Sequence, residues 1–323
     1  VESTLAVASH DGIGVLVRRL ADGPSTLQVS AAGALANLAA LDASLRQDIV
    51  DEGALPHLVA KLGDNNPALQ DRVAALLQNL SHESEARQAA ILDAGAAPLL
   101  AGLLTSRHSF TVQGHAAAAL RNLASIDRLE AKEAMATRDV LEGLTNLLRR
   151  KGSTLRAKEQ AVGALWGLTY APRNRDRVTE AGAITPLVIV LELGPSPNGV
   201  GTVLQERAAA VLWNLSVRNP RNEMAIVSAG GVPGLVRLLR EGSPAAKAHA
   251  AGAIANLVEG CLPAKAAVIE KGGAEDLWAI LHSSGDLNDS RDATLARERA
   301  AAALARLGPP GSLVAVGVKT ASR

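Results

Sequence analysis

The chain has 323 residues, with 33 basic and 32 acidic side chains, a formal net charge of +1 and an apolar fraction of 48%. This composition is typical of a folded protein and excludes a disordered chain. Aromatic residues make up only 2% of the sequence. Because a nucleic-acid surface needs basic patches and stacking rings, we expect no nucleic-acid partner.

Cysteine, histidine and apolar runs exclude further classes of site. Cys261 is the single cysteine, so no intramolecular disulfide or multi-cysteine metal site can form. The seven histidines lack ligand spacing, and we expect no metal and no cofactor. No apolar run reaches the roughly 20 residues of a membrane span. One thiol and no recognised signal peptide favour a cytoplasmic location, with nucleus or cilium as alternatives. The sequence leaves the oligomeric state open.

One motif recurs along the chain, in which small residues precede an asparagine, a leucine and an alanine or serine. In chain order, the anchor positions of this motif are Asn37, Asn79, Asn122, Gly167, Asn214, Asn256 and Arg306. Successive anchors are 42, 43, 45, 47, 42 and 50 residues apart. Self-similarity at such a period predicts stacked copies of one structural unit.

A second motif keeps phase with the first and consists of a small residue, a glycine and a run of leucines and valines. It reads EGALPHLVAKL from Glu52, AGAAPLLAGLL from Ala94 and GGVPGLVRLL from Gly230. Together the motifs predict a short helix, a glycine turn, a second helix, a loop and a third helix. We expect seven such units, at roughly 1–52, 53–94, 95–138, 139–181, 182–229, 230–271 and 272–308, and an irregular tail at 309–323.

The third helix of each unit carries its anchor and one apolar stripe. In the unit that ends near Asn214, the apolar stripe contains Ala208, Val211, Leu212 and Leu215. Asn214 is predicted to lie away from this stripe. Segments rich in Gly, Pro, Ser, Asn and Asp predict longer loops at 193–204 and 282–293. Because no unit can bury its own faces, the units are expected to stack as an all-α solenoid.

These residues resemble armadillo repeats, particularly those of plant, algal and cytoskeleton-associated proteins. The segments LQERAAAVLWNLS and NEMAIVSAGGVPGLVRLL carry the likeness, which extends from Val1 to about Leu307. The resemblance implies a right-handed superhelix of three-helix units whose third helices line a concave groove. It also implies that an extended segment of another protein binds in this groove.

The anchor asparagines are the first candidate contacts with such a partner. An asparagine amide can pair with both the C=O and the N–H of an extended backbone. Five of them, Asn37, Asn79, Asn122, Asn214 and Asn256, would form a ladder along the groove. The alternative is a structural hydrogen bond from each amide to a neighbouring loop.

The residues directly before three anchors are the second candidates. Trp166 and Trp213 are predicted to form an apolar anchor, and Arg121 to pair with an acidic or phosphorylated side chain. Alternatively, both tryptophans pack into the core between units. Four residues before each anchor the side chain is small, whereas nuclear import adaptors of this family carry tryptophan there. Recognition of a nuclear localisation signal is therefore not expected.

Charged and histidine side chains near the groove complete the prediction. Adjacent pairs such as Asp71 and Arg72 predict a groove lining of mixed charge. His115 and His249 lie seven residues before their anchors and are expected to be solvated or to act as caps.

No nucleophile, base and orienting group can be assembled, so the sequence predicts a non-catalytic scaffold for protein–protein interaction. One alternative is the substrate-recognition arm of a larger enzyme such as a ubiquitin ligase. A second alternative is a structural component of a cytoskeletal or ciliary assembly, bound through ridges and the loops at 195–203 and 283–292.

Overall fold

The computed structural model describes residues 11–105, 107–193, 200–283 and 290–308, and this part of the chain contains helices and no strand. In chain order the helices are α1 (Gly12–Asp22), α2 (Ser25–Leu41), α3 (Ala43–Asp51), α4 (Ala54–Leu62), α5 (Pro67–Leu80), α6 (Glu85–Asp93), α7 (Ala96–Gly102), α8 (Phe110–Ala124), α9 (Leu129–Met135), α10 (Arg138–Arg149), α11 (Leu155–Thr169), α12 (Asn174–Glu180), α13 (Ile184–Leu191), α14 (Val200–Ser216), α15 (Pro220–Ser228), α16 (Gly231–Glu241), α17 (Pro244–Gly260), α18 (Leu262–Glu270), α19 (Gly273–Leu281) and α20 (Arg291–Leu307). The predicted all-α solenoid is confirmed.

The anchors lie near the C-terminal ends of every third helix, namely α2, α5, α8, α11, α14, α17 and α20. The helices group into two compact units, Val1–Asn174 and Arg175–Arg323, here called the N-terminal and the C-terminal unit. In the N-terminal unit α2, α5, α8 and α11 pack side by side in chain order. In the C-terminal unit α14, α17 and α20 do the same. Alanines and leucines on these helices form the core of each unit.

The turn between the first and the second helix of a repeat depends on glycine, as the sequence predicts. Gly53 and Gly230 have φ angles of 76° and 80°, in the left-handed region that glycine adopts without strain. Gly95, Gly182 and Gly272 occupy the equivalent places with similar angles. Each glycine ends one helix and lets the next start at once, which holds the two helices close together.

A polar side chain on the first helix closes the end of the preceding third helix, and no sequence motif marks it. Lys132 Nζ donates to the Ala124 carbonyl at 2.8 Å. The same contact is made by Arg46 to Ala39, Arg87 to Leu80, Asn174 to Leu168 and Asn222 to Leu215. Because the last carbonyls of a helix have no partner within it, these side chains satisfy buried acceptors at the corner of each repeat.

The two long loops predicted from composition are shorter than expected. Helix α14 begins at Val200 and α20 at Arg291, so the ends of the predicted loops are helical. Leu204 is fully buried, and the Ser290 hydroxyl accepts a hydrogen bond from the Ala293 amide as a helix cap. Burial and capping therefore outweigh the local loop composition. Residues 194–199, 284–289 and the predicted tail 309–323 lie outside the described residues.

Candidate functional site

A groove of about 870 Å³ runs across the third helices of the N-terminal unit. Its lining comes from α2, α5, α8 and α11 and includes Asn37, Asn79 and Asn122. Small residues form much of its surface, among them Ala36, Ala40, Ala75, Gly114, Ala118 and Ala157. Because small side chains leave the helix backbone close to the surface, the groove is wide enough for an extended chain.

The three groove asparagines differ in how much of the amide is free. Asn37 is exposed. Asn79 Nδ2 donates to the Ala36 carbonyl and Asn122 Nδ2 to the Gln78 carbonyl, both at 2.9 Å. Each of these two bonds uses one N–H to join consecutive third helices. The second N–H and the amide oxygen are not used in these bonds, although Asn122 is only 8% exposed.

Gly167 interrupts the asparagine series for a steric reason. A Cβ atom at this position would lie 2.5 Å from the Ala124 carbonyl oxygen and 3.0 Å from the Ala124 Cβ. Helix α11 therefore approaches α8 too closely for any side chain.

The charges of this groove differ from the predicted mixed lining. Its charged lining residues are Arg72, Arg121, Arg156 and one acid, Glu159. Arg121 Nη2 donates to Asn122 Oδ1 at 3.3 Å, which holds its guanidinium beside the asparagine. Asp71, which the sequence pairs with Arg72, is not part of the lining. The groove is basic because the acid of that pair lies around the helix from its arginine.

His115 lies in this groove on α8, and its side chain is half-buried. Its Nδ1 atom is buried and has no hydrogen-bond partner among the described residues. Burial lowers the pKa of His115, Asp71 raises it, and the cations of Arg156 and Arg72 lower it further. Both arginines are therefore close enough to act on the same imidazole, from the two helices that flank α8.

Trp166 is half-buried on α11, and its ring centroid lies 6.0 Å from that of Tyr170. Lys132 Nζ lies 5.7 Å from the Tyr170 centroid on the same side of the repeat. Trp166 does not belong to the lining of the groove in the N-terminal unit. Its role as an apolar anchor together with Trp213 stays a prediction.

Trp213 in the C-terminal unit is half-buried and covered on one face. The Arg299 guanidinium carbon lies 3.7 Å from its ring centroid, and the His249 ring centroid is 5.9 Å away. A Cβ atom on Gly252 would lie 2.9 Å from Trp213 Nε1. The Trp213 indole of α14 therefore lies across a glycine of α17 and beneath an arginine of α20. This cation–π arrangement joins the third helices of three successive repeats.

The asparagines of the C-terminal unit lie beside this cluster. Asn256 Nδ2 donates to the Ser216 hydroxyl at 3.1 Å, which again joins two successive third helices. Asn214 is only 7% exposed although its helical position lies off the apolar stripe. A full helix neighbour on either side buries more than one stripe of a solenoid helix, and asparagine at the edge of that contact is covered too.

His249 predicts a pH dependence for the C-terminal unit. Burial, followed by the Arg299 cation, lowers the pKa of His249 to about 4, and Asp292 opposes the shift. A depressed pKa means that the stabilising neutral form is complete above the unfolded-state pKa near 6.5 and is lost as pH falls toward 4. Between pH 7 and pH 5 we expect the free energy of unfolding to fall by about 1–2 kcal/mol more in the wild type than in His249→Gln. Urea denaturation at both pH values measures this difference, and equal losses in the two proteins would contradict it.

The described residues contain neither a metal-binding cluster nor a membrane-spanning helix. Histidine, cysteine, aspartate and glutamate side chains form no group of three that could hold a metal ion within those ranges. Within the same ranges, no helix has the length and apolarity needed to cross a membrane.

Known proteins resemble this chain in sequence and in fold. A family model described as Armadillo/beta-catenin-like repeat matches residues 219–259. Vacuolar protein 8 of Schizosaccharomyces pombe is 31% identical over 121 residues, which is 38% of this chain and 20% of that protein's length. An engineered protein of known crystal structure is 32% identical, with a TM-score of 0.81 over 95% of this chain and 70% of its own.

Two designed armadillo repeat proteins share the fold at lower identity. One is 24% identical with a TM-score of 0.67, and another, solved with the peptide (KR)4, is 22% identical with a TM-score of 0.65. Each comparison covers 76% of this chain and 99% of the designed protein. The chain is an armadillo-repeat protein.

Within these armadillo repeats, the sequence motifs found the anchors but missed most of the basic groove. Arg72 was noted only as half of an acid–base pair, and Arg156 has no motif around it. The usable signal is helical position. Arg72 lies seven residues before Asn79 and Arg156 eleven before Gly167, which places both on the anchor face of their helices.

Proposed function

We propose that the protein is a non-catalytic scaffold that binds an extended segment of a partner protein along the groove of the N-terminal unit. The observation that carries this proposal is a single groove lined by four successive third helices, with Asn37, Asn79, Asn122 and Arg121 in its lining. The designed armadillo repeat protein solved with (KR)4 supports it, since that protein holds a peptide on the same fold.

The asparagine geometry fits an extended chain even though two amides also bind the preceding helix. An extended backbone advances about 6.6 Å for every two residues, and adjacent third helices are about 10 Å apart. One asparagine could therefore meet the peptide at every second or third residue. Asn37 offers its whole amide, and Asn79 offers one N–H and its oxygen. Asn214, Asn256 and Trp213 are proposed as further partner contacts of the C-terminal unit.

Filling the groove without removing a native contact tests this function. Ala75 is a half-buried lining residue on α5, and Ala75→Trp places a large side chain in the groove. Peptides selected from a random 12-residue display library against the wild type should lose affinity at least about tenfold for this variant, because a central obstruction excludes the backbone. Fluorescence anisotropy with labelled peptides measures the change.

Ala60→Trp is the matched control, since Ala60 is exposed on α4 and outside the groove lining. This variant should bind the selected peptides as the wild type does. Binders that tolerate Ala75→Trp and Ala60→Trp equally would refute the groove as the binding site. Circular dichroism melting of both variants shows whether either substitution disturbs folding.

The other functions predicted from the sequence have no structural observation in their favour. The loops at 195–203 and 283–292, which an assembly subunit would use, fall partly outside the described residues. A cytoplasmic location and the absence of catalysis stay predictions from the sequence.

A further inference from the structure

The groove of the N-terminal unit carries a charge that the whole chain does not. The protein as a whole has a formal net charge of only +1. Around the groove, however, three arginines face one glutamate, and His82 and His115 add two further nitrogen bases to the lining. A low-dielectric trough lined by one sign of charge concentrates the field inside it, and so selects ligands of the opposite sign.

Two of these arginines lie on the third helices that flank α8. Arg72 lies on α5 and Arg156 on α11, and both cations act on His115 of α8. Both side chains are exposed, and neither makes an ion pair among the described residues. An ion pair within the protein would have to be broken to bind an anion, so arginines without one are ready to bind it.

The groove lining is open at Gly114. Gly114 lies on α8 one residue before His115, and a Cβ atom there would have no neighbour within 4 Å. The Arg72 stem packs over Gly33 of α2, since a Cβ on that glycine would lie 3.6 Å from Arg72 Cδ. Packing of the stem restricts the guanidinium, which reduces the entropy lost when it binds a ligand.

A buried polar atom lies at the same place. His115 Nδ1 has no hydrogen-bond partner among the described residues, although it is buried. Buried polar atoms in folded proteins are nearly always paired, so an unpaired one in a groove indicates a position where a ligand completes the pairing. An imidazole that gains a proton next to an anion would supply a third cationic donor.

We propose that the groove binds an acidic extended segment, and that Arg72 and Arg156 each pair with a carboxylate or phosphate group of that segment. This inference rests on the proposed function, because it names the chemistry of the segment that the groove takes. A guanidinium group can donate two parallel hydrogen bonds to one carboxylate or phosphate group, so each arginine provides a separate contact for an acidic side chain. The charge preference is opposite to that of the designed armadillo repeat protein solved with (KR)4.

Defined peptides test the charge of the segment. The probes are the fluorescein-labelled decapeptides (Glu-Thr)5, (Gln-Thr)5 and (Lys-Thr)5, in which alternate residues point to one side of an extended chain. The full chain should bind (Glu-Thr)5 at least about tenfold more tightly than (Gln-Thr)5, and (Lys-Thr)5 more weakly than either. Raising NaCl from about 50 mM to about 300 mM should weaken the (Glu-Thr)5 complex several-fold, because the contact is ionic.

Paired variants test the residues. The double variant Arg72→Gln/Arg156→Gln should lose the preference for (Glu-Thr)5 over (Gln-Thr)5, a drop of about tenfold. The control is Arg19→Gln/Arg128→Gln, which removes the same charge from two exposed arginines of the N-terminal unit outside the groove lining. This control should retain the preference within about twofold, since distant surface charges are screened.

Two further peptides, each with a single acidic residue, distinguish a carboxylate from a phosphate as the preferred group. The central threonine of (Gln-Thr)5 is replaced by glutamate in one and by phosphothreonine in the other. Tighter binding of either peptide supports the site and identifies the preferred group, and no gain from either overturns it.

The remaining outcomes separate this inference from the function it rests on. Library-selected peptides that Ala75→Trp blocks, together with equal binding of (Glu-Thr)5 and (Gln-Thr)5, would overturn the acidic segment and leave the groove function standing. A glutamate preference that survives Arg72→Gln/Arg156→Gln would overturn the two arginines as its cause. If no peptide, acidic or not, binds the wild type in a way that Ala75→Trp blocks, the proposed function itself is refuted.

Discussion

Replacing Asn174 by alanine should lower the free energy of unfolding by about 2 kcal/mol. Asn174 is fully buried, and its Nδ2 donates to the carbonyls of Lys132 and Leu168, both at 3.0 Å. Alanine removes both of these buried hydrogen bonds, each worth about 0.5–1.5 kcal/mol net, while the Lys132 and Leu168 carbonyls keep backbone donors from Ala136 and Ala171. Urea denaturation followed by circular dichroism measures the loss.

The corner around Asn174 is a chain of hydrogen bonds, which makes the effect larger than one contact. Lys132 itself donates to the Ala124 carbonyl at 2.8 Å, so the two side chains join α8, α9 and α11. Asn174→Asp keeps the shape but removes both donors and should destabilise the protein at least as much as alanine.

Asn146→Ala is the matched control for this prediction. Asn146 is exposed on α10, where the same substitution should change stability by no more than about 0.5 kcal/mol. Equal stabilities of Asn174→Ala and Asn146→Ala would show that the buried amide does not hold the corner of the repeat.

Gly167→Ala should destabilise the protein by about 2 kcal/mol although it places the best helix former inside a helix. The added Cβ would lie 2.5 Å from a backbone oxygen of α8, and a backbone atom cannot move aside cheaply. Overpacking of this kind costs about 1–3 kcal/mol or more, which exceeds the gain of up to about 1 kcal/mol in helix propensity. Thermal and urea unfolding of the variant measure the net effect.

Gly114→Ala is the opposite case on the neighbouring helix. It is also a glycine inside a third helix, but the space around a new Cβ is empty within 4 Å. This variant should therefore gain about 0.5–1 kcal/mol from reduced freedom of the unfolded chain. If Gly167→Ala is as stable as Gly114→Ala, helices α8 and α11 are not in close contact at Gly167 and Ala124.

The fold of this protein could be predicted from its sequence because the same motifs recur along the chain. Seven phased copies of an anchor and of a glycine turn predict the three-helix repeat, and one ambiguous copy changes little. The glycine turns could be predicted because few other residues adopt a positive φ angle without strain. Loop lengths were predicted less well, since burial of Leu204 extended α14 against its local composition.

The candidate site could be predicted only in part, since it depends on which residues of different repeats are in contact. The sequence named Asn79 and Asn122 as groove residues, but their internal bonds to Ala36 and Gln78 connect residues more than 40 positions apart. It also left open whether Trp213 is an apolar anchor or a core residue, and it did not indicate that Arg299 covers one face of the ring.

By itself the sequence determined the repeat, the helical class and the line of anchor positions, because these follow from local periodicity within each copy. Only the tertiary structure decided that Gly167 admits no side chain, that the Nδ1 atom of His115 is buried and that Arg72 and Arg156 lie on the helices beside it. Those properties depend on the distance between neighbouring helices and on the angle at which each side chain leaves its helix. Neither quantity is encoded within a single repeat, so both had to come from the packed stack.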